Sequence, residues 1–300
     1  MWDIDIERYT NESDAVALIG CRARGRPYDV CEYNILLYQH SPLSDHKGDN
    51  VSNDYSYHNL NGNWNIYSDY IRLEYSDGHS IKVHRLSSND NLKGAILLRD
   101  AIVLYDPNML LSRSTNDEMY HKRYIKRSIV EALIHLSRCI DSDGIAASLW
   151  LKTAACYYID ALIASNDSYI MPSHALQQLK RGNNSRELSM ILEAIAVEDA
   201  SRSLLNIMVD EFLNLYTVSN GDDPAIRSKI EYMYSNDMYT DLYTYICYLC
   251  RGLINMNSAQ RLRKTMNLSS DTVRVKELAC RLMDRCKERM KDLYSVSPIY

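Results

Sequence analysis

The chain changes its hydrophobic rhythm once. Up to about residue 110 the apolar residues fall in short runs with strand-like alternation, and from Asp117 onward they recur every three to four positions. In the first part, Ala15–Ile19 is an apolar run that stops at Gly20-Cys21. A basic turn with Arg22, Arg24 and Arg26 follows, and beyond Pro27 an alternating run extends from Val30 to Tyr38. Two more strands are expected at 70–75 and 79–86, joined through Ser76-Asp77-Gly78, because Asp-Gly between alternating runs favours a tight hairpin turn. Residues 90–98 read as a short helix, and 101–106 as a strand halted by Pro107. Residues 1–14 form a short helical or extended lead-in. The polar segment from His40 to Asp69, rich in Asn, Asp, Ser and Gly, is long for an idle connection within a compact domain.

In the second part, Ile125, Ile129, Leu133, Leu136 and Ile140 share one helical face, which Val130 and Ile134 widen. The stretch 145–165 is apolar nearly all round, as the central helix of a bundle must be. A Pro172-led turn and helices over 185–216, 223–235, 240–255 and 270–293 are expected around it, the last capped by Ser270-Asp271. The chain therefore reads as two domains. Residues 1–112 form an α+β domain with a small mixed sheet, and residues 113–300 an all-α helical bundle.

Composition narrows the setting. A net charge of −5 argues against a protein that coats nucleic acid along its whole length. The eight cysteines are scattered, mostly inside apolar helical patterns, as reduced core cysteines are. The opening MWDIDIERYT has neither the basic nor the apolar region of a signal peptide. The longest apolar stretch contains Lys152 and Asp160, which suits a core helix and not a membrane span. The expectation is a cytoplasmic protein with no membrane partner.

The candidate chemistry lies between Val16 and Tyr38. Gly20 allows close backbone approach, turn amides can meet phosphate oxygens, and Arg22 and Arg24 add positive charge. Glu32 and Asn34 alternate onto one face of the following strand. This run of apolar strand, small-residue turn and second strand resembles the signature of the DNA polymerase β-like nucleotidyltransferase superfamily. There an apolar strand ends in Gly-Gly or Gly-Ser, and about ten residues later a strand carries two acids that bind divalent metal. Here ten residues separate Cys21 from Glu32, and Tyr33 and Ile35 fill the apolar positions after each acid site. A closing strand, Ala101–Asp106, adds to the likeness, which covers about residues 1–110.

The resemblance implies a nucleotidyltransferase-like domain fused to a helical one. Gly20, Cys21, Arg22 and Arg24 would hold the phosphates of an NTP, and Glu32 would ligate Mg²⁺. Two positions depart from the pattern. Cys21 stands in place of Ser or Gly, and Asn34 in place of the second carboxylate. The strand expected to bring a third acid offers Lys82 and His84, leaving Glu74 as the alternative. The first reading is therefore a catalytically impaired relative, a pseudoenzyme binding a nucleotide, RNA or a protein partner. The second is an active Mg²⁺-dependent nucleotidyltransferase in which Glu32, Asn34 and Glu74 form the catalytic set and an NMP passes to a small molecule, protein or RNA. A third is a structural or oligomerising protein on the same scaffold.

The helical half offers less. Helical partners of such domains include HEPN-class ribonucleases with an Arg-x4–6-His motif, but seven residues separate Arg127 from His135. Cys247-x-x-Cys250 lies on a helix with no second tight pair, so both read as core thiols. The basic run near the C-terminus, including Arg281, Arg285 and Arg289, is interleaved with acids and reads as a solvated helix face.

Overall fold

The computed structural model describes residues 5–25, 27–39, 70–76, 79–87, 91–111, 118–166, 168–182, 185–220, 223–254 and 258–295. Asp77-Gly78 of the expected hairpin turn, and the polar segment from His40 to Asp69, lie outside them. The chain divides into two compact units, residues 1–120 and 121–300.

The first unit is α+β. A short helix α1 (Glu7–Thr10) leads into β1 (Ala15–Ile19), followed by β2 (Tyr33–Gln39), β3 (Tyr70–Ser76), β4 (His79–Ser87), helix α2 (Asn91–Leu97) and β5 (Ile102–Tyr105). The five strands form one mixed sheet in the order β3-β4-β2-β1-β5. β1 runs antiparallel to both β2 and β5, β3 antiparallel to β4, and β2 parallel to β4. The central strand β2 is buried on both faces, with Ile35, Leu36 and Leu37 all excluded from solvent. Strands with helices or chain on either side read as near-continuous apolar runs for this reason.

Alternation sorts the side chains. Val16, Leu18, Tyr33, Ile35, Leu37, Ile81 and Val83 gather on one face as a core, closed by Tyr9 from α1. Asn34, Leu36, Lys82 and His84 are consequently on the other face. Leu86, on that same face, packs against Gly94 of α2, where an added Cβ would lie 3.3 Å from it. Beyond β5, the Asp106 carboxylate accepts from the amides of Leu110 and Leu111, so the Asp-Pro sequence ends the strand and caps the turn after it.

The described part of the second unit is helical. Its α-helices among the described residues are α3 (Glu118–Asp141), α4 (Gly144–Ser165), α5 (Ala175–Arg181), α6 (Ser185–Ile195), α7 (Arg202–Asn220), α8 (Pro224–Ser235), α9 (Tyr239–Arg251), the one-turn α10 (Ala259–Leu262) and α11 (Thr272–Ser295). Helix α4 is the buried centre, as its all-round apolarity requires. Among the described residues, no helix is long and apolar enough to cross a membrane. The helix expected over 185–216 is in fact two, α6 and α7. Ala196 adopts the left-handed conformation (φ 57°, ψ 48°) and a 3₁₀ turn, Val197–Asp199, follows it. Alanine carries no breaker signal, so the local pattern hides this interruption. Asp271 caps α11 through the Arg274 amide, as the Ser270-Asp271 pair suggests.

Two polar groups on α4 account for its tolerance of charge. Lys152 donates to the carbonyls of Ile195 (2.8 Å) and Met266 (2.9 Å) and to the Tyr243 hydroxyl (2.6 Å), which uses all three ammonium donors. One turn-pair later, Asp160 pairs with Arg251 at 2.7 Å and accepts from Tyr248 at 2.9 Å. The Arg251 guanidinium also lies over the Tyr157 ring, 4.5 Å from its centroid. Burial pushes the Asp160 carboxyl up, and Arg251 opposes that shift.

Candidate functional site at the head of the central strand

Register assembles the site. Ile19, the last residue of β1, pairs with Asn34 near the start of β2, and Asn34 pairs with Lys82 of β4. The end of β1 and the starts of β2 and β4 therefore meet at one end of the sheet. Neighbouring strands lie about 4.8 Å apart, so the Gly20 turn, Asn34 and Lys82 stand side by side at this end. Glu32 immediately precedes β2, and the alternation carried back one residue sets it on the Asn34 face.

The turn itself is held by its own groups. Gly20 has φ 79°, a left-handed conformation that costs other residues strain. The Arg24 amide bonds back to the Gly20 carbonyl at 3.3 Å, and the Gly25 amide to the Arg22 carbonyl at 3.1 Å. Arg22 reaches over the turn, donating from Nε to the Cys31 carbonyl (2.7 Å) and from a terminal nitrogen to the Asp29 carbonyl (3.3 Å). Its guanidinium rests on the Tyr33 ring at 4.1 Å. Arg24 pairs with Asp100 at 3.3 Å. Both arginines thus brace the turn from within the unit, and Cys21 is buried beside them.

Four polar residues share the face that follows. Glu32, Lys82 and His84 are buried, and Asn34 is half-buried, the most open of the four. His84 Nε2 donates to Asn34 Oδ1 at 2.9 Å, since the carboxamide oxygen can only accept. This bond and the position of Lys82 were not legible in the sequence, because the parallel pairing of β2 with β4 is a long-range choice.

Glu74 is elsewhere. It pairs in register with Ile81, a member of the core on the opposite face of the sheet. Its carboxylate accepts from the Tyr9 hydroxyl at 2.7 Å and pairs with Arg8 at 3.2 Å. The sheet therefore brings Gly20, Cys21, Glu32 and Asn34 together and leaves Glu74 apart, fastening α1 to β3. Among the described residues of this unit, no three Asp, Glu, His or Cys side chains converge at metal-ligating distance. One carboxylate and one carboxamide beside an ammonium make a poor donor set for a divalent ion, which wants several anionic oxygens.

The other candidates fall in the helical unit. Cys247 and Cys250 are fully buried on α9, and burial drives both thiols up, which keeps them protonated and inert. His135 lies between the rings of Trp150 and Tyr157, stacked on each with centroids 5.3 Å apart. That is a packed histidine with no catalytic neighbour assigned to it by sequence. Arg281 pairs with Glu193, and Arg285 with Glu288 on its own helix, as a solvated face would.

No model of a known protein family matches the chain, and no curated protein matches it.

Proposed function

We propose that the first unit is a nucleotidyltransferase-like domain that binds a nucleotide without transferring it. The observation that carries this reading is the row Ile19–Asn34–Lys82, which sets a glycine turn beside Glu32 and Asn34 at one end of a mixed sheet. The ten-residue spacing between Cys21 and Glu32 supports it from the sequence side. The absence of transfer follows from the donor set. In-line nucleotidyl transfer relies on divalent ions held by clustered carboxylates, and here the second acid is Asn34 and Glu74 serves the opposite face. The Mg²⁺ that the resemblance implies does not fit these residues.

The test is calorimetric titration of ATP, CTP, GTP and UTP into the full chain, with pyrophosphate release followed in parallel. Binding of at least one nucleotide with no pyrophosphate release is the expected result. Robust release would restore the active nucleotidyltransferase reading. Failure of every nucleotide to bind would leave the scaffold to an RNA or protein partner or to a structural role.

A further inference from the structure

The turn that leads into β2 brings two thiols together. Nine residues stand between Cys21 and Cys31 in the chain, yet their sulfurs lie within 4.8 Å of one another. The chain turns out of β1 at Gly20, whose positive φ permits the reversal. Arg22 then ties the two ends, since the residue after Cys21 donates from Nε to the Cys31 carbonyl at 2.7 Å. Both thiols are free and buried. The segment between them is the open part. Gly25, Pro27 and Asp29 are exposed, and Tyr28 alone is buried among its described residues. A short exposed turn of this kind opens locally at little cost, which gives a small oxidant access to the sulfurs.

We propose that Cys21 and Cys31 are a reversible redox pair, which closes to a disulfide under peroxide and so regulates the site at the head of β2. One thiolate attacks an oxygen of hydrogen peroxide, the O–O bond breaks, hydroxide leaves and a sulfenic acid forms. The other thiolate attacks that sulfur, so the S–S bond forms, the S–O bond breaks and a second hydroxide leaves. The two thiol protons turn both hydroxides into water, and the peroxide has taken two electrons from the pair. Proximity selects this outcome, because a thiol within 4.8 Å captures the sulfenic acid before it is oxidised further. An S–S bond is about 2.0 Å long, so closure draws the sulfurs together by less than about 3 Å. Cys21 follows Gly20 and Cys31 precedes Glu32, so the candidate site itself takes up that movement. A dithiol reverses the bond by exchange. The regulatory consequence rests on the nucleotide reading, and the disulfide does not.

The experiment treats the reduced full chain with hydrogen peroxide, blocks the remaining thiols with iodoacetamide and maps the tryptic peptides by mass. Trypsin cuts after Arg22 and Arg24, between the two cysteines, so the disulfide shows as two joined peptides. The joined pair is expected in wild type and in Cys280→Ser alike, although Cys280 is the exposed cysteine, and dithiothreitol should separate it. Cys21 and Cys31 both alkylated after treatment would overturn the inference. So would their recovery as sulfinic acids or joined to other cysteines. ATP, CTP, GTP and UTP are then titrated into the oxidised and the reduced chain. A nucleotide that binds the reduced chain is expected to bind the oxidised one at least threefold more weakly, with recovery in dithiothreitol. Equal affinity of the two forms would remove the regulatory role. Disulfide formation with no nucleotide bound in either state would uphold the redox pair and remove the nucleotide reading.

Discussion

His84 reaches diagonally across the parallel pair of β2 and β4 to place its Nε2 2.9 Å from Asn34 Oδ1, although register sets His84 beside Leu36. The bond reaches back one pleat and fixes which way the Asn34 carboxamide points. In a buried row this matters more than the bond's net strength, because a polar group stripped of its partner loses its hydration as well. His84→Phe should therefore cost about 1–3 kcal/mol in urea unfolding. Adding Asn34→Leu to it should cost less than the sum of the two single changes, since the second removes the stranded group.

Tyr9 and Glu74 give a control on the opposite face. Their 2.7 Å bond joins α1 to the edge strand β3. Tyr9→Phe leaves a largely buried carboxylate with one donor fewer, so a loss of about 1–3 kcal/mol is expected by chemical denaturation. Glu74→Gln keeps an acceptor for Tyr9 and weakens the pairing with Arg8, whose side chain is 57% exposed, so its cost should be smaller. Neither change should alter nucleotide affinity. A change of more than threefold from Glu74→Gln would mean that Glu74 serves the ligand site after all.

The fold was legible wherever a local pattern decides it. The shift from alternation to helical period marked the α+β and helical halves, and Ala15–Ile19 and the all-round apolarity around Ile145–Ser165 each became the element expected. What stayed hidden was set by distance along the chain. Alternation places Glu32 and Asn34 on one face, but only the parallel pairing of β2 with β4 shows that Lys82 stands beside Asn34. The same long-range register sends Glu74 to the other face, through its pairing with Ile81. Local chemistry also misled in one place. Val30 belongs to the turn, and β2 starts at Tyr33, because Arg22 draws the Asp29 and Cys31 carbonyls into a brace. An arginine beside a glycine turn reads as a phosphate ligand until its own hydrogen bonds are seen.

The position of Lys82 also fixes what added charge should do at Asn34. Asn34→Asp would put a carboxylate in register with the ammonium, where the two would pair. The expected outcome is no gain in Mg²⁺ affinity. Asn34→Asp combined with Lys82→Asn should gain Mg²⁺ binding, since carboxylates then face one another without a competing cation. Calorimetry with MgCl₂ alone reads the difference. Tight Mg²⁺ binding by the single variant would show that Lys82 does not hold the new charge.

In the helical unit, the Asp160–Arg251 pair should be costly to halve. Both side chains are almost fully buried, so Arg251→Met would leave a carboxylate among apolar groups with only Tyr248 to bond it. A loss of about 3–5 kcal/mol is expected, measured by urea or thermal unfolding. Asp160→Asn combined with Arg251→Met should recover part of that loss, because the stranded charge is gone. A cost near zero for the single change would mean that Asp160 takes a proton and stays buried neutral.

His135 should make the helical unit acid-sensitive. It is 7% exposed, with the Trp150 ring on one side and the Tyr157 ring on the other. Arg138 lies over Trp150, 5.1 Å from a ring centroid, and Arg251 over Tyr157, so each ring that stacks on His135 also carries a cation. Burial first, then the charges of Arg138 and Arg251, push the imidazole down to about 4. The unfolded chain, with an ordinary histidine near 6.5, therefore takes up this proton before the folded one does. Between pH 6.5 and 4 the unfolded state binds more protons, so stability falls as pH falls through that window and rises again with pH. The difference amounts to roughly 3 kcal/mol when complete. His135→Phe keeps a flat ring between Trp150 and Tyr157 and cannot take a proton. Its unfolding free energy should lose about that much less than wild type between pH 7 and pH 4, with the carboxylates titrating alike in both. Parallel pH profiles for the two proteins would show that His135 titrates normally inside the stack.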